Sequence, residues 1–219
     1  MKNYRTFAVI GLGRFGYQVA KTLLELGQSV IAIDKDETVL ESISKLGADV
    51  YIMNSINKES LAECGLNDAD VVVIGIGKDI EASILAALNA IELGVKRVVC
   101  KANSDDHAKI LEKIGAEIIF PEIDIAKRLA YSVTNALTED ILPLSDDFSI
   151  IQMKVPYIFD SKTVEEINLR QKYNLNLIAI VHDGKATGNI TPKTMLYSSD
   201  SMYICGTNKN ITEFQDKLK

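Results

Sequence analysis

Short apolar runs alternate with segments of helical periodicity over residues 1–120. The apolar runs have the length of strands and are Thr6–Ile10, Val30–Ile33, Val50–Met53, Val71–Ile74, Arg97–Cys100 and Ile118–Phe120. Continuous apolar runs, without polar alternation, are typical of strands that are covered on both faces of a parallel sheet. The pattern therefore predicts β-α units laid in a row.

A glycine stands between each predicted helix and the strand that follows it. These glycines are Gly27, Gly47, Gly65, Gly94 and Gly115. Glycine adopts the left-handed conformation that ends a helix without steric cost. Short connections and right-handed crossovers then predict an α/β fold, a Rossmann-like doubly wound parallel sheet of about six strands.

A longer helical segment is predicted from Ile123 to about Glu139. Ile125, Leu129, Val133 and Leu137 recur every four residues and form one apolar stripe on this helix. The sequence EDILPLSDD then breaks the helical pattern with Pro143 and a cluster of Ser and Asp. We place the domain boundary in this segment.

The remainder of the chain predicts a small α+β module. Its expected elements are a strand at FSIIQMKV, a helix around Thr163–Lys172 that Thr163 caps, a strand at LNLIAIVH, a turn at Asp183–Gly184, a strand at SMYICG and a terminal helix. We therefore expect a nucleotide-binding domain over residues 1–121, a crossover helix and linker over 122–147, and a C-terminal domain over 148–219. A module this small is near the lower limit for independent stability, so a partner copy would help to bury its faces.

Composition excludes several classes of function. The formal net charge of −6 argues against nucleic acid as the main partner. Cys64, Cys100 and Cys205 are scattered and odd in number, which indicates buried reduced thiols of a cytosolic protein. The longest apolar run, Val71–Gly77, is too short to cross a bilayer, and no signal peptide is expected.

The clearest candidate for a ligand-binding site is a glycine loop after the first predicted strand. Gly11, Gly13 and Gly16 form G-x-G-x-x-G, and Asp34 ends the second strand about twenty residues further on. Such a carboxylate binds ribose hydroxyls, whereas a 2′-phosphate usually meets an arginine. The loop therefore predicts a site for an adenosine ribose with a di- or triphosphate, and NAD, ATP and ADP all fit. Arg14 lies where a helix begins, a position that is unfavourable for a cation unless an anion offsets it.

Candidate catalytic groups are few. The chain has two histidines, His107 and His182, and its Tyr-x-x-x-Lys pair, Tyr17 and Lys21, falls in the helix after the glycine loop, where it would not meet a nicotinamide ring. No P-loop motif occurs, and no acid–base pair is evident beside the cofactor. A bound nucleotide without chemistry around it indicates a signal, so we expect a protein that is not an enzyme.

Several motifs in order resemble a known family. FAVIGLGRFG, Asp34 at the end of strand two, VVVIGIGKDIEAS, VCKANSDDHAKILEKIGAEIIFPE and a short C-terminal module are similar to regulator of potassium conductance (RCK) subunits of the KtrA/KtrC/TrkA potassium uptake family. The resemblance covers nearly the whole chain. It implies a cytoplasmic, non-enzymatic gating subunit that forms homodimers, assembles into an octameric ring and docks under a KtrB/TrkH-like membrane potassium channel subunit.

The same resemblance implies roles for individual residues. The nucleotide would contact Gly11, Gly13, Arg14, Phe15, Gly16, Asp34, Asn54, Gly77, Ile80 and Lys101. Arg14 would reach the terminal phosphate of ATP across the dimer contact, and Glu122 would help to hold Mg²⁺ or Ca²⁺ near the phosphates. The apolar stripe of the crossover helix would pack against a partner subunit.

A second ligand is implied for the C-terminal module. In some relatives cyclic di-AMP binds between two such modules, and Arg170, Asn176, His182 and Pro192 are the corresponding positions. Three other functions stay open at this point: an NAD(H)-sensing TrkA-type regulator, a small NAD-dependent oxidoreductase, and a structural interaction module.

Overall fold

The computed structural model describes residues 5–134 and 137–218. The chain divides into two compact units, Met1–Pro121 and Glu122–Lys219. The division of residues 122–219 into a linker and a separate domain stays a prediction. In the part of the chain that the structure describes, no helix is long and apolar enough to cross a lipid bilayer.

The first unit contains the predicted parallel sheet. Its strands are β1 (Thr6–Ile10), β2 (Ser29–Asp34), β3 (Asp49–Ile52), β4 (Val71–Ile74), β5 (Arg97–Lys101) and β6 (Glu117–Ile119). All neighbouring pairs are parallel, in the order β3-β2-β1-β4-β5-β6. This is the strand order of a Rossmann sheet, so the predicted fold class is confirmed.

Helices connect successive strands of this sheet. They are α1 (Arg14–Glu25), α2 (Glu37–Ser44), α3 (Lys58–Glu63), α4 (Ile80–Glu92) and α5 (Asp105–Lys113), with a 3₁₀ turn at Leu66–Asp68. All five glycines predicted to end helices have positive φ, between 74° and 102°. Their left-handed conformation turns the chain towards the next strand, as the sequence predicts.

Both faces of the parallel sheet are covered. Val9 packs in one buried cluster with residues of α1 and α2, and its neighbour Ile10 packs in another with residues of α3, α4 and α5. Successive side chains of a strand point to opposite faces, so this division shows that the helices lie on both sides. It also explains why the strands read as continuous apolar runs.

The second unit is built on an antiparallel sheet. It begins with helix α6 (Pro121–Thr134), whose first residue is assigned to the first unit. The helices and strands that follow are β7 (Thr138–Pro143), β8 (Phe148–Lys154), β9 (Lys162–Thr163), α7 (Val164–Ile167), α8 (Leu169–Tyr173), β10 (Asn176–His182), β11 (Lys185–Thr187), β12 (Met195–Leu196), β13 (Ser201–Thr207) and α9 (Asn208–Asp216). The five-stranded sheet has the order β11-β10-β13-β8-β7, and β9 pairs with β12 in a separate ribbon.

Helix α6 and strand β7 differ from the expected secondary structure. The helix is described to Thr134 and does not run to Glu139, because the chain from Thr138 pairs antiparallel with β8. Leu137 packs against the core of the second unit, so it leaves the predicted apolar stripe. The other stripe residues, Ile125, Leu129 and Val133, are 59–72% exposed.

The predicted helix around Thr163 is two short helices. Thr163 caps α7 in a capping box, in which its hydroxyl accepts from the N–H of Glu166 and the Glu166 carboxylate accepts from the N–H of Thr163. Asn168 then takes the left-handed conformation (φ 52°) and ends α7 before α8 begins. The predicted cap at Thr163 therefore lies at the expected position, and the helix it starts is shorter than expected.

Candidate functional site

The glycine loop lies at the carboxyl end of β1, where the order of the strands reverses. β1 pairs with β2 on one side and with β4 on the other, and the helices that follow β1 and β4 lie on opposite faces of the sheet. Ligands of open α/β sheets bind in the crevice at such a switch point. The loops that leave β1 and β4 are therefore the walls of the candidate site.

Glycines make the close approach of these two loops possible. A Cβ on Gly16 would lie 2.0 Å from the carbonyl oxygen of Gly11, and a Cβ on Gly75 would lie 2.6 Å from the same oxygen. Gly11 has φ 88°, and its N–H donates to the carbonyl of Ile33 at 2.8 Å, which ties the loop to β2. Gly75 is part of this packing and is absent from the predicted site, because the sequence does not show that β1 and β4 are neighbours.

Gly13 has a more open environment than Gly11 and Gly16. It is the N-cap of α1, and a Cβ there would have no heavy atom within 4 Å. Its bare backbone faces open space, which leaves room for a ligand phosphate at the positive end of the helix dipole. Arg14 begins α1 and is exposed, Phe15 is half-buried, and the first turn of the helix has no acidic residue.

Asp34 lies at the end of β2, and its carboxylate fastens the glycine loop. Its Oδ2 accepts from the N–H of Leu12, and its Oδ1 accepts from the N–H of Asp36 at 2.9 Å. The side chain is half-buried at the end of β2, next to the loop. These two bonds hold the carboxylate at the position where the sequence predicts a ribose.

Residues after β4 and at the end of β5 extend the wall that the loop after β4 forms. A Cβ on Gly77 would lie 3.7 Å from the Nζ of Lys101 and 3.9 Å from the Oδ1 of Asn103, so these side chains converge beside Gly77. Ile80, the first residue of α4, is 43% exposed, and Lys101 is half-buried at the end of β5. Asn103 was not predicted, and only its place two residues after Lys101 would indicate it.

Asn54 lies at the end of β3, at the edge of the same sheet. It lines an open cleft of about 520 Å³ between the end of β3 and α3, together with Ser55, Ser60 and Cys64. The carboxyl ends of β1, β2 and β3 lie along one edge of the parallel sheet, so Asn54 is on the edge that carries the crevice. Its contact with a nucleotide stays a prediction.

Glu122 is an exposed residue in the first turn of α6 and is assigned to the second unit. A carboxylate there suits the positive end of the helix dipole. Over residues 5–134 and 137–218, no group of three or more His, Cys, Asp or Glu side chains is arranged to hold a metal ion. A cation at Glu122 would therefore take most of its oxygen ligands from elsewhere.

The four residues predicted for cyclic di-AMP are spread over the second unit. Arg170 is exposed on α8, and Asn176 and His182 are the two ends of β10, which at six residue steps lie about 20 Å apart. The carbonyl of Pro192 accepts from the N–H of Glu165 near the start of α7. Within one chain, Asn176 and His182 therefore lie at opposite ends of one strand, and the contact of the four residues with cyclic di-AMP stays a prediction.

His182 is held by a buried acid. Its Nδ1 lies 2.6 Å from Oδ1 of Asp200, which is 3% exposed, and its Nε2 lies 3.6 Å from Oδ2 of Asp183. The hydrogen bond to Asp200, and then the charges of Asp200 and Asp183, raise the pKa of His182 above its ordinary value. His107 is the opposite case, because burial lowers its pKa.

The cysteines are free, and Cys64 and Cys100 are buried as predicted, whereas Cys205 is half-buried. Burial raises the pKa of the Cys100 thiol to about 12. A thiol with so high a pKa is protonated at neutral pH and is a poor nucleophile.

Comparisons with known proteins cover the chain almost from end to end. The TrkA-N domain family matches residues 7–122, and the TrkA-C domain family matches residues 150–219. The chain is 34% identical to Ktr system potassium uptake protein C of Bacillus subtilis (strain 168), over 98% of this chain and 97% of that protein. It is 33% identical to Ktr system potassium uptake protein A of the same organism, over 97% of this chain and 96% of that protein.

Solved structures share the fold at lower identity. The GsuK RCK domain has a TM-score of 0.67 and 16% identity, over 98% of this chain and 48% of that chain. The GsuK channel bound to NAD has a TM-score of 0.69 and 15% identity, over 100% of this chain and 40% of that one. The chain thus spans less than half the length of these two structures, and the likeness establishes the fold.

Proposed function

Because the chain belongs to the TrkA-N/TrkA-C family of RCK potassium uptake subunits, we propose that it is the cytosolic regulatory subunit of a bacterial potassium transporter, switched by ATP and ADP. The observation that carries this proposal is the crevice at the switch point, which combines a bare helix N-terminus at Gly13, the anchored carboxylate of Asp34 and the cation Arg14. These groups suit a ribose and a polyphosphate. The role is regulatory and not enzymatic.

Arg14 is the residue that distinguishes the two nucleotides. It begins α1 and is exposed, so its guanidinium is free to reach a phosphate beyond its own loop. A guanidinium fork on a phosphate is a strong charge-assisted contact. ADP lacks the terminal group that Arg14 grasps from the neighbouring subunit, so the two nucleotides stabilise different arrangements of the assembly.

Helix α6 supplies the surface for a second copy of the chain. Ile125, Leu129 and Val133 lie along one side of the helix and are at least 59% exposed, and no residue of α6 is buried. The helix is also linked to β7, because Nε of Arg128 donates to Oδ1 of Asp140 at 3.1 Å and the second guanidinium nitrogen donates to the other oxygen. A homodimer through this face would be the unit of an octameric ring beneath a KtrB/TrkH-like channel subunit.

A divalent cation and cyclic di-AMP belong to the same proposal. Mg²⁺ is commonly held by one or two carboxylates, with phosphate oxygens and waters as its other ligands, so the single exposed carboxylate of Glu122 is compatible with it. Cyclic di-AMP would bind between two C-terminal modules, which is compatible with the separation of Asn176 and His182 at the two ends of β10.

Calorimetric titration of the nucleotide-free protein with ATP, ADP and NADH, each with and without Mg²⁺ or Ca²⁺, tests this function. We expect tight binding of ATP and ADP, a higher affinity for ATP when the metal is present, and weak binding of NADH. In Arg14→Ala the preference for ATP over ADP should fall about 10-fold, whereas Lys21→Ala, which removes a charge from the same helix, should keep it.

An NAD(H)-sensing regulator is the second candidate. Asp34 suits either ribose, and a protein with the same fold is the GsuK channel bound to NAD. If NADH binds more tightly than ATP and Arg14→Ala leaves the nucleotide preference unchanged, the ATP/ADP switch is wrong and the NAD(H) sensor replaces it.

A further inference from the structure

Lys78 is a cation at the crevice to which neither the sequence motifs nor the family resemblance gives a role. It stands between Gly77 and Asp79, the N-cap of α4, in the loop that leaves β4. The residue is exposed. In the part of the chain that the structure describes, its ammonium makes no ion pair.

The backbone around Lys78 is fixed on both sides. Three residues before it, Gly75 packs against the carbonyl oxygen of Gly11, with only 2.6 Å to the position of a Cβ. Directly after it, the carboxylate of Asp79 accepts the N–H of Ala82 at 3.0 Å and caps α4. Lys78 therefore lies on an anchored turn at the rim of the crevice, and the carboxylate of the next residue, Asp79, caps α4.

The carboxyl edge of the sheet carries charges of both signs. Its cations include Arg14 at the start of α1, Lys35 after β2, Lys78 after β4 and Lys101 at the end of β5. Lys101 Nζ lies 3.7 Å from the Cβ position of Gly77, next to Lys78. The acids at the same edge include Asp34 and Asp79, whose carboxylates accept backbone N–H groups, and the exposed Asp36, Glu37, Glu81, Asp105 and Asp106.

We infer that Lys78 is a specificity-determining residue that favours a nucleoside triphosphate over a diphosphate or a dinucleotide in this crevice. The inference rests on the proposed function. A flexible ammonium acts on phosphate as a mobile point charge, so it gains most from the ligand with the greatest charge at its phosphate end. Arg14 is assigned to the nucleotide of the neighbouring subunit, and Lys78 is then an exposed cation on the loop after β4 that a subunit offers to its own ligand.

Calorimetric titration of Lys78→Ala, Lys78→Arg and Lys96→Ala with ATP, ADP and NADH tests this inference. Lys96 is an exposed lysine immediately before β5, at the opposite edge of the sheet, so its substitution makes the same change in net charge away from the crevice. Lys78 is exposed, so its variants should fold as the wild type does. We expect Lys78→Ala to lower the affinity for ATP about 10-fold, which equals about 1.4 kcal/mol, the affinity for ADP less, and the affinity for NADH hardly at all. Lys78→Arg should restore the preference.

The outcomes separate the inference from the proposed function. If the wild type binds ATP and Lys78→Ala keeps the wild-type ratio of ATP to ADP affinity, the role of Lys78 is wrong and the nucleotide switch stands. An equal loss in Lys96→Ala would also refute it, because the effect would then come from net charge. If the wild type itself prefers NADH, the proposed function fails, and the inference fails with it.

Discussion

Substitution of two glycines in one loop should separate folding from ligand binding. In Gly16→Ala the new Cβ would lie 2.0 Å from the carbonyl oxygen of Gly11, and real contacts of this kind essentially never fall below 3.0 Å. The two groups must therefore separate by about 1 Å. Gly75 packs against the same oxygen, with 2.6 Å to its own Cβ position, so the carbonyl has little room to move.

The magnitude follows from two opposing effects. Forced overpacking of this kind costs about 1–3 kcal/mol, and the rigid backbone places this site near about 3 kcal/mol. Alanine is a better helix former than glycine by about 1 kcal/mol, which offsets part of the cost. We therefore expect Gly16→Ala to destabilise the first unit by about 2 kcal/mol. Gly13→Ala meets no atom within 4 Å and should cost less than about 1 kcal/mol as a weaker N-cap.

Hydrogen exchange of the full, nucleotide-free chain measures this difference locally. Peptides from β1 and β4 should exchange about 30-fold faster in Gly16→Ala than in the wild type, and nearly at the wild-type rate in Gly13→Ala. ATP titration should show the larger loss of affinity for Gly13→Ala, because its methyl group would stand where we propose that the phosphates bind. The reasoning is refuted if Gly16→Ala exchanges within a factor of three of the wild type, or if Gly13→Ala is the less stable variant.

Three other substitutions test separate parts of the molecule. Asp34→Asn should lower ATP affinity about 10-fold in calorimetry, and wild-type affinity would contradict the ribose assignment. The raised pKa of His182 means that its bond to Asp200 contributes stability fully below about pH 6.5 and loses that contribution as the pH rises through the folded-state pKa. The wild type should therefore have a higher urea midpoint than His182→Gln at low pH, and this difference should shrink as the pH rises above about 6.5. A difference that is the same at every pH would show that His182 does not titrate as described. Leu129→Asp should turn the proposed dimer into a monomer in light scattering, and an unchanged mass would exclude α6 as the dimer surface.

Strand β7 shows where the periodicity of the sequence misled the prediction. Its register with β8 shifts between Thr138 and Asp140, so the alternation of inward and outward side chains is interrupted. Pro143 is a further misleading signal, because proline is usually read as a break although it is tolerated on edge strands, and β7 is an edge strand. The run therefore resembles the end of a helix followed by a linker.

The parallel sheet was predictable because several local signals agree. The apolar runs, the glycines with positive φ and the length of each β-α unit all indicate the same architecture. Gly75 was not predictable in this way. Its need for a bare α-carbon arises from Gly11, more than sixty residues earlier in the chain, and appears only once β1 and β4 are known to be neighbours.

The geometry of Asp34 connects the shape of the loop to the choice of ligand. Each of its carboxylate oxygens already accepts one backbone N–H, from Leu12 and from Asp36. A carboxylate oxygen has two acceptor sites, so one site is left on each oxygen. Two adjacent hydroxyls of a ribose can use both remaining sites, whereas a 2′-phosphate would bring like charge against the carboxylate. Because the same bonds hold the glycine loop, the residue that we propose to select an unphosphorylated ribose also fixes the loop on which the phosphates would bind.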